Sequence, residues 1–170
     1  MAALVLTMIG DDRPGLVSAV SGVVRAHGAS WEQSQMARLG GKFAGILLVD
    51  VPDDRVDALT AGLGALREEG LQVTLEQTGE TAEQATSQLR LDLLGADRPG
   101  IMAEISAALA ASGVGIEELS TGVREAPMAG GMLFEVRAVL AAPASVGTDE
   151  LRRTLEALAD ELMVDLSLSA

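Results

Sequence analysis

The sequence predicts an α+β protein made of two βαββαβ units in tandem, each a four-stranded antiparallel sheet with two helices on one face. Three observations lead there. The corner Gly10-Asp11-Asp12-Arg13-Pro14-Gly15 returns eighty-five positions later as Gly95-Ala96-Asp97-Arg98-Pro99-Gly100. Each corner follows a short apolar run, Leu4 to Ile9 or Leu89 to Leu94, and precedes a segment with helical periodicity. The order of period-2 and period-3.6 segments after each corner is also the same.

In the first copy, residues 3–10 read as a well-covered strand. From Pro14 the apolar residues Leu16, Val17, Val20, Val23 and Val24 fall at helical spacing. His27 and Gly28 end that helix, the glycine as a left-handed stop. Residues 30–39 form the second strand, with Trp31 and Met36 expected on opposite faces. Gly40-Gly41 signals a hairpin turn. Lys42 to Val51 is the third strand, and the pattern places Phe43, Leu47 and Val49 on the face away from the helices. Such a patch calls for a covering sheet or subunit, so a homodimer is expected. Pro52-Asp53-Asp54 opens a helix striped by Val56, Leu59, Leu63 and Leu66 and closed by Gly70. Leu71, Val73 and Leu75 alternate with polar residues in a half-buried fourth strand.

Thr78 to Ser87 carries no apolar pattern and reads as a linker, dividing the chain into domains 1–77 and 88–170. The second copy repeats the order: a strand over Leu89 to Leu94, a helix through Ile101, Ile105 and Leu109 stopped by Gly113, a hairpin from 115–125 and 130–140, a helix striped by Leu151, Leu155, Leu158 and Leu162, and a last strand over Val164, Leu166 and Leu168. Aligning Gly40-Gly41 with Gly130-Gly131 makes the offset grow by five and places an insertion near Arg124 to Ala129. A βαββαβ unit is the ferredoxin-like split arrangement.

Composition narrows the function. Apolar residues make up 48 % of 170 residues and aromatics only 2 %, so aliphatic side chains build the cores. With no cysteine there is no thiol nucleophile or disulfide. The single histidine, His27, suits a helix end better than a metal site. A formal net charge of −13 opposes direct binding to nucleic acid or an anionic membrane. No apolar run reaches the roughly 18 residues of a membrane span, and the N-terminus lacks a basic leader, so a cytoplasmic protein is expected. No nucleophile stands beside the paired acids Asp11-Asp12 and Asp53-Asp54, and both pairs open helices, where negative charge is favourable. The chain is not expected to be an enzyme, and neither cofactor nor metal is expected.

The corners are the candidate binding sites. Gly10 and Gly95 are expected to let the chain turn out of the strand, Asp12 and Asp97 to cap the coming helix, and Pro14 and Pro99 to occupy its first turn. Gly15 and Gly100 leave backbone N–H groups open to a small ligand. Such N–H groups can hold a carboxylate and the aspartate an ammonium. An amino acid needs both. The Ala126-Pro127-Met128-Ala129-Gly130 loop is longer than a tight turn requires and is expected to border a site or a protein partner.

A strand, then Asp-Arg-Pro-Gly and Leu16 or Ile101, then a glycine-ended helix within βαββαβ, resembles the ACT domain, a small-molecule sensor of amino-acid metabolism. The resemblance covers nearly the whole chain, twice. The stretches Ser34-Gln35-Met36-Ala37-Arg38-Leu39-Gly40-Gly41-Lys42-Phe43-Ala44 and Ala126 to Gly130 are similar to the tandem-ACT family typified by the glycine cleavage system transcriptional repressor. The resemblance implies a regulator that senses a small amino acid, with glycine and serine as candidates. It acts in turn on a protein partner, such as a transcription activator, without contacting DNA. The alternative is a regulatory subunit of an enzyme of amino-acid or one-carbon metabolism. The ligand set it implies is Asp12, Arg13, Pro14, Gly15 and Ser30 in the first copy and Asp97, Arg98, Pro99, Gly100 and Gly115 in the second. Ser30 and Gly115 stand where ACT domains often carry asparagine.

Overall fold

The computed structural model describes residues 1–79, 86–128 and 130–170. The chain divides into two compact units between residues 82 and 83. Most of the expected linker, residues 80–85, lies outside the described residues, as does Ala129 of the long hairpin loop.

The first unit contains β1 (Ala2–Asp11), α1 (Leu16–Ala26), β2 (Ser30–Leu39), β3 (Lys42–Val51), α2 (Val56–Gly64), a 3-10 extension over Ala65–Glu69 and β4 (Leu71–Gln77). The second contains β5 (Thr86–Ala96), α3 (Ile101–Ala111), β6 (Gly115–Glu125), β7 (Met132–Pro143), α4 (Thr148–Leu162) and β8 (Val164–Ser169). Strand β5 begins at Thr86, and Ser87 pairs with Ala142. The antiparallel sheets have the orders β2-β3-β1-β4 and β6-β7-β5-β8. These are the two ferredoxin-like units read from the sequence.

Each unit has its own core. Leu4, Leu6 and Met8 alternate inward along β1 and meet Leu16, Val20 and Val24, spaced by four on α1, with Leu59 and Leu63 of α2. Leu89, Leu91 and Leu93 meet Ile101, Ile105 and Leu109 of α3 and Leu151 and Leu155 of α4 in the same way. Gly28 and Gly113 end the first helix of each unit at φ 70° and 71°. At the entry to the last strand the copies differ: Gly70 has φ 86°, and its counterpart Met163 holds a left-handed φ of 53°.

Register corrects three expectations. Leu47 and Val49 are 1 % and 0 % exposed in the core, so the outer face of β3 carries Ala44, Ile46 and Leu48 instead. In the second unit the face carrying Leu133, Glu135, Arg137 and Val139 is the outer one. The cause is the hairpin. β6 and β7 extend by one pair, Glu125 with Met132, beyond the equivalent of Leu39 with Lys42, and close with a six-residue loop instead of a two-residue turn. The insertion is therefore six residues long, not five. Matching the glycines matched turn chemistry and not strand pairing, and a one-residue error reverses every side chain.

The third correction concerns β2. A bulge lies between Trp31 and Gln33, so Trp31 and Met36 share the inner face and both pack on the core. The same bulge recurs at Glu117 in β6.

Candidate functional site

Both corners lie at the end of the sheet where the first strand delivers the chain to the first helix. β1 and β5 run on through Gly10 and Gly95 to Asp11 and Ala96, so the glycines do not turn the chain. They permit close approach: a Cβ at Gly10 would lie 2.8 Å from the Gly70 carbonyl oxygen, and one at Gly95 would lie 2.3 Å from Val164 Cγ1.

The turn itself is made by Gly15 and Gly100, each at φ 94°, immediately before the first helical residue. Pro14 and Pro99 thus precede the helix and do not sit in its first turn. Neither Asp12 nor Asp97 caps it, because at neither helix start does a backbone N–H donate to a side chain. The left-handed glycine carries the chain round a corner that leaves the aspartates behind. The positive helix ends are left open as anion-binding groups.

The backbone of each corner is anchored to the neighbouring hairpin. Asp12 N–H donates to Gly41 O at 2.9 Å, and Asp97 N–H donates to Met132 O at 2.8 Å. The arginines turn away from the opening. Arg13 Nη2 donates to Glu69 O at 2.6 Å, and Arg98 Nη2 donates to Leu162 O at 3.0 Å. Both tie the corner to the end of the unit's second helical segment.

The aspartates differ. Arg38, at the end of β2, places Nη1 3.4 Å from Asp12 Oδ2. In the second unit Val123 takes the register position of Arg38, and among the described residues Asp97 has no side-chain partner. Next to the first corner, Lys42 bonds to Asp11 and holds its carboxyl below the ordinary carboxylate range, through the hydrogen bond and then the positive charge.

Ser30 and Gly115 do not join the corners of their own units. Ser30 pairs with Asp50, which also pairs with Ala3, and Gly115 pairs with Ala141, beside Gln88. Ala3 lies nine residues before Asp12, about 30 Å at the rise of an extended strand. Within a unit the candidate ligand groups therefore reduce to the aspartate, the glycine turn and the open helix end. Arg38 is the residue whose role sequence reasoning missed. Its charge gave a signal, but its position over Asp12 depends on hairpin register.

His27 closes α1, with Nδ1 2.8 Å from Val23 O. Among the described residues no group of His, Asp or Glu side chains is placed to hold a metal ion, and no helix is long and apolar enough to cross a membrane.

The family model of the ACT domain matches residues 2–76 and again 87–169. The chain belongs to the ACT-domain family. Its two ACT domains coincide with the two units, and each match begins on the strand that leads to an Asp-Arg-Pro-Gly corner. The tandem is related to the glycine cleavage system transcriptional repressor of Escherichia coli, 25 % identical over 98 % of this chain and 88 % of the relative. A UPF0237 protein of Methanopyrus kandleri is 39 % identical over 80 residues, covering 47 % of this chain and 78 % of that protein. Among solved structures, an unknown protein from Galdieria sulphuraria superposes with a TM-score of 0.83 at 31 % identity, covering 99 % of this chain and 97 % of the other.

Proposed function

We propose that this tandem ACT protein is a non-catalytic cytoplasmic regulator that binds a small amino acid, glycine or serine, at the Asp97 corner and signals through contact with another protein. One observation carries the choice of corner: Asp97 is exposed and has no side-chain partner among the described residues, beside a helix start that no side chain caps. An amino-acid zwitterion would set its ammonium against Asp97 and its carboxylate on the open N–H groups at the start of α3. At the first corner Arg38 already lies 3.4 Å from Asp12, so the ammonium would compete with a guanidinium. The relation to a repressor supports a role in transcription. The net charge of −13 supports a protein and not DNA as the direct partner.

A thermal-shift panel of the twenty amino acids tests this. A ligand at 100 times its dissociation constant stabilises the fold by about 2.7 kcal/mol. One small amino acid is expected to raise the melting temperature of the wild type and of Asp12→Ala, and to raise that of Asp97→Ala less. No shift with any amino acid, or a shift abolished by Asp12→Ala alone, overturns the assignment.

A further inference from the structure

The two corners share a backbone and differ in the side chains along their border. Three positions border each corner. One supplies the carbonyl that accepts the aspartate N–H, one follows the carbonyl that accepts the arginine, and one is the second residue of the helix. In the first domain they are Gly41, Gly70 and Val17; in the second they are Met132, Met163 and Met102. Met128 stands in the loop just before Met132. Four of the chain's seven methionines thus belong to the Asp97 corner, and the equivalent positions of the Asp12 corner carry none.

Two features separate these residues from methionines that only fill a core. The first is exposure. Met8 is 3 % exposed and Met36 packs on the core of the first domain, whereas Met128, Met132 and Met163 are 98 %, 44 % and 83 % exposed. The second is strain. Met163 holds φ 53° where the first domain has Gly70, a conformation disfavoured for an L-residue. A strained residue whose side chain lies mostly in water points to a use for that side chain.

The use follows from thioether chemistry. The chain has no cysteine, so methionine supplies all of its sulfur. With hydrogen peroxide, the sulfur lone pair attacks one oxygen and the O–O bond breaks. A proton passes from the first oxygen to the second, which leaves as water. The thioether is oxidised by two electrons to the sulfoxide, and the peroxide is reduced. No deprotonation precedes the attack, so access to the sulfur sets the rate.

The product is polar where the thioether was apolar. At Met132 this change reaches the corner, because the residue's own carbonyl oxygen accepts the Asp97 N–H at 2.8 Å. Its side chain is partly covered as a thioether. A sulfoxide left there would lack water, so it gains by turning outward. The backbone that anchors Asp97 turns with it. Gly41, which anchors Asp12, has no side chain to respond.

We propose that Met132, flanked by Met128 and Met163, is a reversible oxidation site at which a peroxide loosens the Asp97 corner. The oxidation acts on the protein alone and stands apart from the identity of any ligand at that corner.

Treatment of the full chain with limiting hydrogen peroxide tests it, read by peptide mass spectrometry and by NMR solvent exchange of backbone amides. Met128, Met132 and Met163 are expected as sulfoxides while Met8 and Met36 stay reduced. The Asp97 amide is expected to exchange about tenfold faster, as for the loss of one hydrogen bond, and the Asp12 amide at an unchanged rate. Methionine sulfoxide reductases, one for each epimer, should restore the slow rate. Met132→Leu, close in volume, should keep the Asp97 amide slow under the same treatment, and Met132→Gln should speed it without oxidant. Four results overturn the proposal: Met132 still reduced once Met8 or Met36 is oxidised, an unchanged Asp97 rate in the oxidised wild type, an equal gain in Met132→Leu, or a Met132→Gln as slow as the wild type.

Discussion

Arg13 donates to the carbonyl oxygen of Glu69 across 56 positions of sequence, and Arg98 makes the same bond to Leu162. The last carbonyls of a helical segment have no partner within it, and a guanidinium reaching from the opposite corner satisfies one. The arginine of each Asp-Arg-Pro-Gly motif thereby holds the first loop of its domain to the end of the second helical segment. A hydrogen bond from a charged donor contributes about 1.5–3 kcal/mol when well shielded. Arg98→Ala, whose bond is partly buried, is expected to lower unfolding free energy by about 1–2 kcal/mol in urea titrations. Arg13→Ala, at an exposed corner, should cost less than about 1 kcal/mol.

The pairing of Arg38 with Asp12 makes the corners unequal, and that inequality is testable by titration. Calorimetric titration with the amino acid found in the thermal panel is expected to show the tighter site at the Asp97 corner. Arg38→Ala frees Asp12 and should tighten any binding at the first corner, measured in an Asp97→Ala background. The gain is set by the cost of breaking an exposed ion pair, about 0.2–1 kcal/mol, or up to about fivefold in affinity. An unchanged affinity would show that Arg38 does not guard the first corner.

Gly10 and Gly95 are required by contact and not by conformation. Adding a methyl forces Gly70 or Val164 away from the strand, so Gly10→Ala and Gly95→Ala should each destabilise by about 1–3 kcal/mol. Met163 is the opposite case: its side chain is 83 % exposed while its backbone holds a left-handed conformation. That conformation costs an L-residue about 1–2 kcal/mol, part of which glycine gives back in backbone entropy. Met163→Gly is expected to stabilise the second domain by up to about 1 kcal/mol, measured by thermal unfolding.

The Asp11 carboxyl, lowered by Lys42, gives a pH prediction with a definite sign. A depressed folded-state pKa contributes stability that is present above the unfolded value and is lost as pH falls through the folded one. An NMR titration should find Asp11 ionising below the ordinary aspartate range, and Lys42→Ala should return it to that range. Acid unfolding of the Lys42→Ala protein should lose the same part of its pH dependence.

The long β6–β7 loop ends next to the second corner, because Met132, the first residue after it, accepts the Asp97 N–H bond. Met128 in that loop is 98 % exposed. Replacing residues 126–131 by Gly-Gly, the turn of the first domain, should leave the fold intact. If the loop borders the ligand, affinity at the second corner should fall about tenfold, or about 1.4 kcal/mol. Undiminished binding would leave the loop without a role at that corner.

The order of strands and helices was legible because it rests on local signals. Leu16, Val20 and Val24 recur at helical spacing, glycines close the helices, and the repeated corner sets the first halves of the two domains in register. The corners were legible as places, but their internal bonding was not. The Arg13–Glu69 and Arg38–Asp12 contacts join residues far apart in sequence, and no local pattern distinguishes a solvated arginine from one bound to a distant carbonyl. The expectation that Asp12 and Asp97 cap their helices failed for a local reason of another kind: a left-handed Gly15 or Gly100 redirects the chain between the acid and the helix.

The amino-acid sequence by itself determined two βαββαβ domains, their family and the location of the two corners, since periodicity and turn chemistry act over neighbouring residues. Only the tertiary structure decided which face of β3 is buried, which aspartate is left unpaired and what each arginine holds. Those outcomes depend on strand register, and a single bulge at Glu32 or one extra pair at Glu125 and Met132 reverses the facing of side chains without changing the apolar pattern from which the strands are read.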